Sequence, residues 1–319
     1  MNEAILSVAP PDAEQAMPTD ITPAPPLAPA IDYLALGERL RAYRIGASLQ
    51  AEDVAAQLGV SRVVVYRMER GGIVKIETLA RLAQVLGTSL ASLLGVEVEY
   101  YSTALGLLER MRQVEQTADR IVAHFEPISL LLTSEDYPRY LRQMLVETTS
   151  RPQDALRQPE VDQMMDILQE RKQFFARRQP HIVSLIGLRE LERFVHTGLV
   201  GRLDLPAAVR AERVLAARRE VENIATLMAS EPMNVQIGLV DDTMPASTFQ
   251  IATSGSRSVL TVSPFRFGEL PNVRNGIATF TASGEAVQLY EAMVARLWAG
   301  AQKGRAGAER LRKLLARIT

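Results

Sequence analysis

The stretch "VAAQLGVSRVVVYRMERG", residues 54–71, constrains the fold of this chain more than any other. Val63, Val64 and Val65 are three β-branched residues in a row, which locally favours a strand. The flanks, Val54 to Leu58 and Tyr66 to Arg70, carry the three-and-four spacing of a helix. Magnitudes decide between the two. Each valine costs at most about 0.7 kcal/mol against alanine in a helix. Burying a single valine returns about 1.5–3 kcal/mol. If Val65 and Met68 face a core together with Val54 and Leu58, packing outweighs propensity and the segment is helical. Val63 and Val64 then point away from that core, and exposed valines at a helix start mark a surface that meets something apolar.

A helix, a tight turn at Gly59 and a second helix within some 20 residues make a helix-turn-helix. Gly59 supplies a positive-φ helix stop. Val60 plugs the space between the helices, Ala55 allows them to cross closely, and Ser61 is expected to cap the third helix through its hydroxyl. The surrounding residues 32–96 divide into five short helical patterns, "DYLALGERLRAYRIG", "QAEDVAAQLG", "SRVVVYRMERG", "IETLARLAQVLG" and "SLASLLG". Eight basic residues stand against five acidic ones over 33–95, so this segment is about +3 while the whole chain is −1.

"LQAEDVAAQLGVSRVVVYRMERG" resembles the DNA-binding core of the Xre and Cro/repressor-type family. The matching positions are Ala55 and Leu58, the turn Gly59-Val60-Ser61, and Glu69-x-Gly71 closing the third helix. The resemblance covers 35–95 and implies a five-helix, lambda-repressor-like, all-α fold. It implies that Arg44 and Glu69 form a structural salt bridge between the first and third helices. It also implies that the start of the third helix lies in the major groove of double-stranded DNA, with Ser61 at its beginning and Arg62, Val63, Val64, Tyr66 and Arg67 facing the groove. Arginine reads guanine edges and valine packs on thymine methyls. Phosphate contacts are expected at the start of the second helix, around Gln50 and Ala51, and from Lys75 in the loop "GGIVK". Ala51 stands where the family often has glutamine, and Gln50 comes one position early.

Outside this segment the chain changes character. Residues 1–31 hold seven of the 17 prolines and few large apolar side chains, the composition of a disordered arm. Residues 97–125 carry apolar residues from Tyr101 to Phe125 at spacings of three and four, which predicts one long linker helix. Its stripe either docks on the following domain or pairs two subunits. Residues 126–319 alternate helical and strand patterns and predict a mixed α+β or α/β domain. The expected strands are "PISLLLT", "HIVSLIG", "NVQIGLV", "STFQIAT", "VLTVSPF" and "GIATFTA", with "GSRS" as a hairpin turn. "LLLTSEDYPRYLRQMLVE", "NVQIGLV" and "SPFRFGELPNV" faintly resemble uncharacterised sensor-like domains that follow this DNA-binding module in bacterial regulators. Arg257, Arg266 and Arg274 fall near Phe249, Phe265 and Phe267, where an anionic or aromatic effector can dock.

Signs of catalysis are absent from the sequence. No GxxxxGK[ST], GxGxxG, HExxH or GxSxG pattern occurs. There is no cysteine, and His124, His181 and His196 are far apart. No cofactor, metal site or enzyme activity is expected. Lys172, Lys303 and Lys313 lie in helical or terminal stretches, against a self-cleaving serine–lysine pair. Asp241-Asp242 end a strand, where aspartates commonly form turns. No apolar run approaches the roughly 18 residues of a membrane helix, and the lack of cysteine fits a cytoplasmic location. The expected protein is a homodimeric, sequence-specific transcription regulator whose C-terminal domain senses a small molecule or protein effector or makes the dimer. The competing expectation is an antitoxin-like protein-binding partner that represses its own promoter.

Overall fold

The computed structural model describes residues 32–72, 75–96, 98–148 and 158–317. The expected disordered arm, 1–31, lies outside the described residues. Five helices open the fold: α1 (Tyr33–Gly46), α2 (Ala51–Leu58), α3 (Arg62–Glu69), α4 (Ile76–Val85) and α5 (Leu90–Leu94). Their ends follow the sequence. The Asp32 carboxylate accepts from the Ala35 N–H at 2.9 Å and starts α1. Gly59, at φ +71°, stops α2.

The next segment departs from expectation. Residues 97–125 are not one linker helix but β1 (Glu99–Tyr101), α6 (Ala104–Gln116) and β2 (Arg120–His124). The apolar stripe misleads here because Ile121, Val122 and Ala123 are all buried in succession. That is the pattern of a strand covered on both faces, not of one side of a helix. "PISLLLT" is also not a strand. Leu130–Leu132 form a short 3-10 turn, since a brief apolar run carries no periodicity to separate the two outcomes.

The rest alternates. α7 (Tyr137–Glu147) and α8 (Gln158–Arg178) lead to β3 (His181–Gly187), and α9 (Leu188–Thr197) and α10 (Ala207–Ser230) lead to β4 (Val235–Val240). Then come β5 (Thr248–Ser254), β6 (Arg257–Ser263), β7 (Ala278–Thr281), α11 (Gly284–Gly300) and α12 (Gly304–Arg317). The seven strands form one mixed sheet in the order β1-β7-β6-β5-β2-β3-β4. β2, β3 and β4 run parallel, and the other pairings are antiparallel. Gly255, at φ +55°, makes the β5–β6 hairpin turn. One face of the sheet, with Ile121, Ala123, Ile182 and Phe280, shares a continuous core with α6, α8, α10 and the five N-terminal helices. The other face, with Val122, Leu185, Phe249 and Ile251, is covered by Val287 and Val294 of α11. Among the described residues no helix is long and apolar enough to cross a membrane.

α6 fastens the helical domain to the sheet. Gly46 at the end of α1 faces Gly106 of α6, and a Cβ on Gly46 would lie 3.0 Å from the Gly106 Cα. The Thr103 hydroxyl donates to the Gly46 carbonyl at 3.0 Å. Tyr43 of α1 stacks on Tyr101 of β1 with centroids 4.5 Å apart. Arg41 pairs with Glu109 at 2.9 Å, and the Gln113 amide donates to the Glu38 carbonyl at 3.0 Å. Arg39 donates to the Leu93 and Leu94 carbonyls at the end of α5, each at 2.8 Å. Beneath these, Arg110 of α6 holds the buried Glu99 carboxylate with two bonds of 2.8 and 3.0 Å.

Removing one partner of a buried ion pair strands the other, at a cost of about 3–5 kcal/mol. The variant Arg110→Met is therefore expected to lower stability by an amount of that order in urea unfolding. A loss below about 0.5 kcal/mol, the size of an ordinary surface substitution, would contradict the anchoring role of this pair.

Candidate nucleic-acid interface

α2 and α3 meet across Gly59-Val60-Ser61. The Val60 N–H donates to the Ala55 carbonyl at 3.0 Å, which closes the turn. α3 buries Val65 and Met68 against α1 and α2. Its opposite side carries Arg62, Val63, Tyr66, Arg67 and Arg70, all exposed, at the three-and-four spacing of one helix face. Val63 is 71% exposed.

The inner side is locked. Arg44 of α1 grips Glu69 of α3 with Nε–Oε1 at 2.5 Å and Nη2–Oε2 at 3.2 Å. Its third nitrogen, Nη1, donates to the Leu49 carbonyl at 3.0 Å just before α2. Both side chains are at most 10% exposed. One guanidinium thus joins α1, the α2 approach and the end of α3, using the planar fork that lysine lacks. Gly37 lets the helices touch, because a Cβ there would lie 2.6 Å from the Glu69 carbonyl oxygen. At the exit of α3, Gly71 has φ +85°, and the Gly72 N–H returns to the Arg67 carbonyl at 2.9 Å.

Several expected contacts are placed differently. Val64 is only half-exposed and packs against the core, since it lies next to the buried Val65 on the helix surface. Ala51 is buried at the start of α2, so it offers backbone and no side chain. Ser61 stands at the N-cap of α3, yet its hydroxyl makes no cap bond. Its carbonyl starts the helix by accepting from Val64 and Val65 at 3.0 and 3.4 Å. Gln50 is exposed and its N–H donates to the Asp53 carboxylate at 2.7 Å. Glu52 and Asp53 occupy the first turn of α2 and satisfy the positive end of the helix, which leaves less for a phosphate than expected. Arg62 pairs with Glu52 at 2.7 Å, with both side chains more than half exposed. Water screens such a pair, so a base edge can compete for the guanidinium. Lys75 is exposed at the N-cap of α4; Ile73 and Val74 of the same loop lie outside the described residues.

Two features escaped the sequence reading. Arg70 extends the outward strip by one turn, and the spacing 62–66–70 signals it. Arg81 of α4 donates to the Leu58 carbonyl at 3.2 Å and finishes α2; no local pattern marks that contact.

Residues 35–94 match the model of a family described as a helix-turn-helix domain. The N-terminal region is a helix-turn-helix. The match runs from α1 to the last turn of α5, and the sheet domain lies outside it. No curated protein matches the chain.

In the sheet domain the expected arginine and phenylalanine site comes together only in part: Arg266 lines one cavity with Phe265 and Phe267, and Arg257, Arg274 and Phe249 do not line it. Arg266 approaches Glu126 at 3.3 Å, Arg257 faces Asp32 at 3.7 Å, and Arg274 is exposed. Phe265 and Phe267 line a cavity of about 30 Å³, enough for one or two waters. Lys172 comes beside Ser134 but donates to the Thr133 and Ser134 carbonyls at 2.9 and 2.8 Å. The Ser134 hydroxyl is bound by Glu220.

The close crossing of α1 and α3 yields a sign that can be tested. Forcing a methyl into a filled site costs about 1–3 kcal/mol. Alanine gains about 1 kcal/mol over glycine in a helix interior. Gly37→Ala is therefore expected to lower the melting temperature, and a rise would contradict the packing at Glu69.

Proposed function

We propose that the chain is a sequence-specific DNA-binding transcription regulator of the Xre and Cro/repressor type. It acts as a homodimer, with α3 in the major groove and the sheet domain as its sensing or oligomerising part. The observation that carries this reading is the outward side of α3. Val63 contributes nothing to the core, and it stands between Arg62, Tyr66 and Arg67 on a helix whose other side is fixed by Arg44, Val65 and Met68. A duplex edge offers this strip its complement: guanine acceptors for the arginines and thymine methyls for the valine. Ser61, Gln50 and Lys75 supply phosphate contacts that set orientation rather than sequence.

The test is binding of the full chain to duplexes from its own upstream region, followed by fluorescence anisotropy. Arg62→Ala is expected to relax base preference at one position. Lys75→Ala is expected to weaken binding to every sequence and reduce the salt slope by about one. If both variants bind like the parent, the groove-facing set is wrong. Glu52→Gln is expected to tighten DNA binding a few-fold, because it releases Arg62 and removes a carboxylate from a surface that meets phosphate; weaker binding would contradict the competition between Glu52 and DNA.

A further inference from the structure

α11 lies alone on its side of the sheet: among the described helices, only its side chains join the core on that face. Eleven of its 17 residues are apolar, yet Val287 and Val294 alone are buried. Leu289 is 65% exposed, and Ala292, Ala295 and Ala299 are exposed too. A surface helix ordinarily turns a polar side to water, and one that is apolar all round is ordinarily covered. No described element covers the outward side of α11.

Glu285, Leu289, Ala292 and Arg296 are all exposed and follow one another at intervals of four, three and four. That spacing puts them in one strip, on the side away from Val287 and Val294. Neither the Glu285 carboxylate nor the Arg296 guanidinium has an ion-pair or hydrogen-bond partner among the described residues. Arg296 lines one groove with Asp241 and Asp242. Asp241, however, turns to Arg310 at 3.5 Å, and Asp242 accepts from the Thr243 N–H at 2.7 Å. Eleven residues of helix set Glu285 and Arg296 about 16.5 Å apart along the axis, so they cannot meet each other.

The strip is its own complement when reversed. An antiparallel copy, turned about a two-fold axis midway between Tyr290 and Glu291, sets Glu285 opposite Arg296 of the second copy and Leu289 opposite its Ala292. Each leucine then meets the notch above an alanine, large against small, and each charge meets its opposite. Parallel pairing instead sets glutamate on glutamate and arginine on arginine. A two-fold contact requires the same patch on both copies to be self-complementary. A partner of another sequence gives no reason for the match.

We propose that two copies of this chain pair through the outward side of α11, antiparallel and about that axis. As a dimer surface the strip rests on the homodimer part of the regulator reading and gives it a place. α11 lies on the sheet face away from the five N-terminal helices, so the contact uses neither α2 nor α3. One helix pair is a small contact, at the low end of specific interfaces, so the dimer dissociates on dilution. Its rim charges fix register and orientation more than affinity.

The test follows the full chain, without DNA, by sedimentation velocity over a concentration series. The parent is expected to pass from monomer to dimer. Glu285→Arg and Arg296→Glu are each expected to weaken self-association at least about tenfold, because the two-fold axis doubles every substitution and sets like charges opposite. An equimolar mixture of the two variants is expected to regain the dimer, since a strip with two arginines then meets a strip with two glutamates. Glu285 also suits the positive end of its helix, so the melting temperature of each variant is recorded beside its association. A parent that stays monomeric throughout, single variants that associate like the parent, or a mixture no better than its components overturns the proposal. Variants that stay dimeric leave a homodimer with another interface. Unchanged DNA binding in Arg62→Ala and Lys75→Ala sinks the groove-facing set and leaves this pairing standing.

Discussion

α1 is close-packed on two sides, and the arrangement of the whole molecule follows from that constraint. Toward α3 it presents Gly37 and Arg44; toward α6 and β1 it presents Arg41, Tyr43 and Gly46. Glycine at each crossing lets backbones approach, and a charged or aromatic pair beside each crossing fixes the angle. α3 is thus held by the same element that holds the sheet. A shift of α6 relative to α1 has a short mechanical route to α3, because α1 touches α6 at Gly46 and α3 at Gly37.

The chemistry of the two sides differs in a way that suits their tasks. The inner pairs, Arg44–Glu69 and Arg110–Glu99, are bidentate and buried, where geometry matters most and water cannot screen them. The outer pair, Arg62–Glu52, is exposed and exchangeable. Fixed charges build the scaffold, and a loosely held one is left on the outward side of α3.

Much of the helical domain was legible because its signals are local. Gly59 ends a helix, Val65 and Met68 alternate with polar residues at helical spacing, and Glu69-x-Gly71 closes α3. The Arg44–Glu69 pair was readable only through family resemblance, since nothing local joins residues 25 positions apart. The misreadings have physical causes. Val64 and Ala51 are pulled into the core by neighbours in space. Ser61 begins its helix with a carbonyl instead of a hydroxyl. In 97–125, a half-helix, half-strand segment imitated one amphipathic helix because a doubly covered strand has no period to reveal it. The 3-10 turn at 130–132 was hidden for a similar reason.

The central claim is that the outward side of α3 distinguishes base pairs. Selection of duplexes from a random library by the full chain tests it most directly. The account predicts enrichment of a short motif, with a thymine position that loses its preference when Val63 is replaced by glycine while the rest of the motif persists. Recovery of no motif, or of an unchanged motif from Val63→Gly and Arg62→Ala alike, would contradict it.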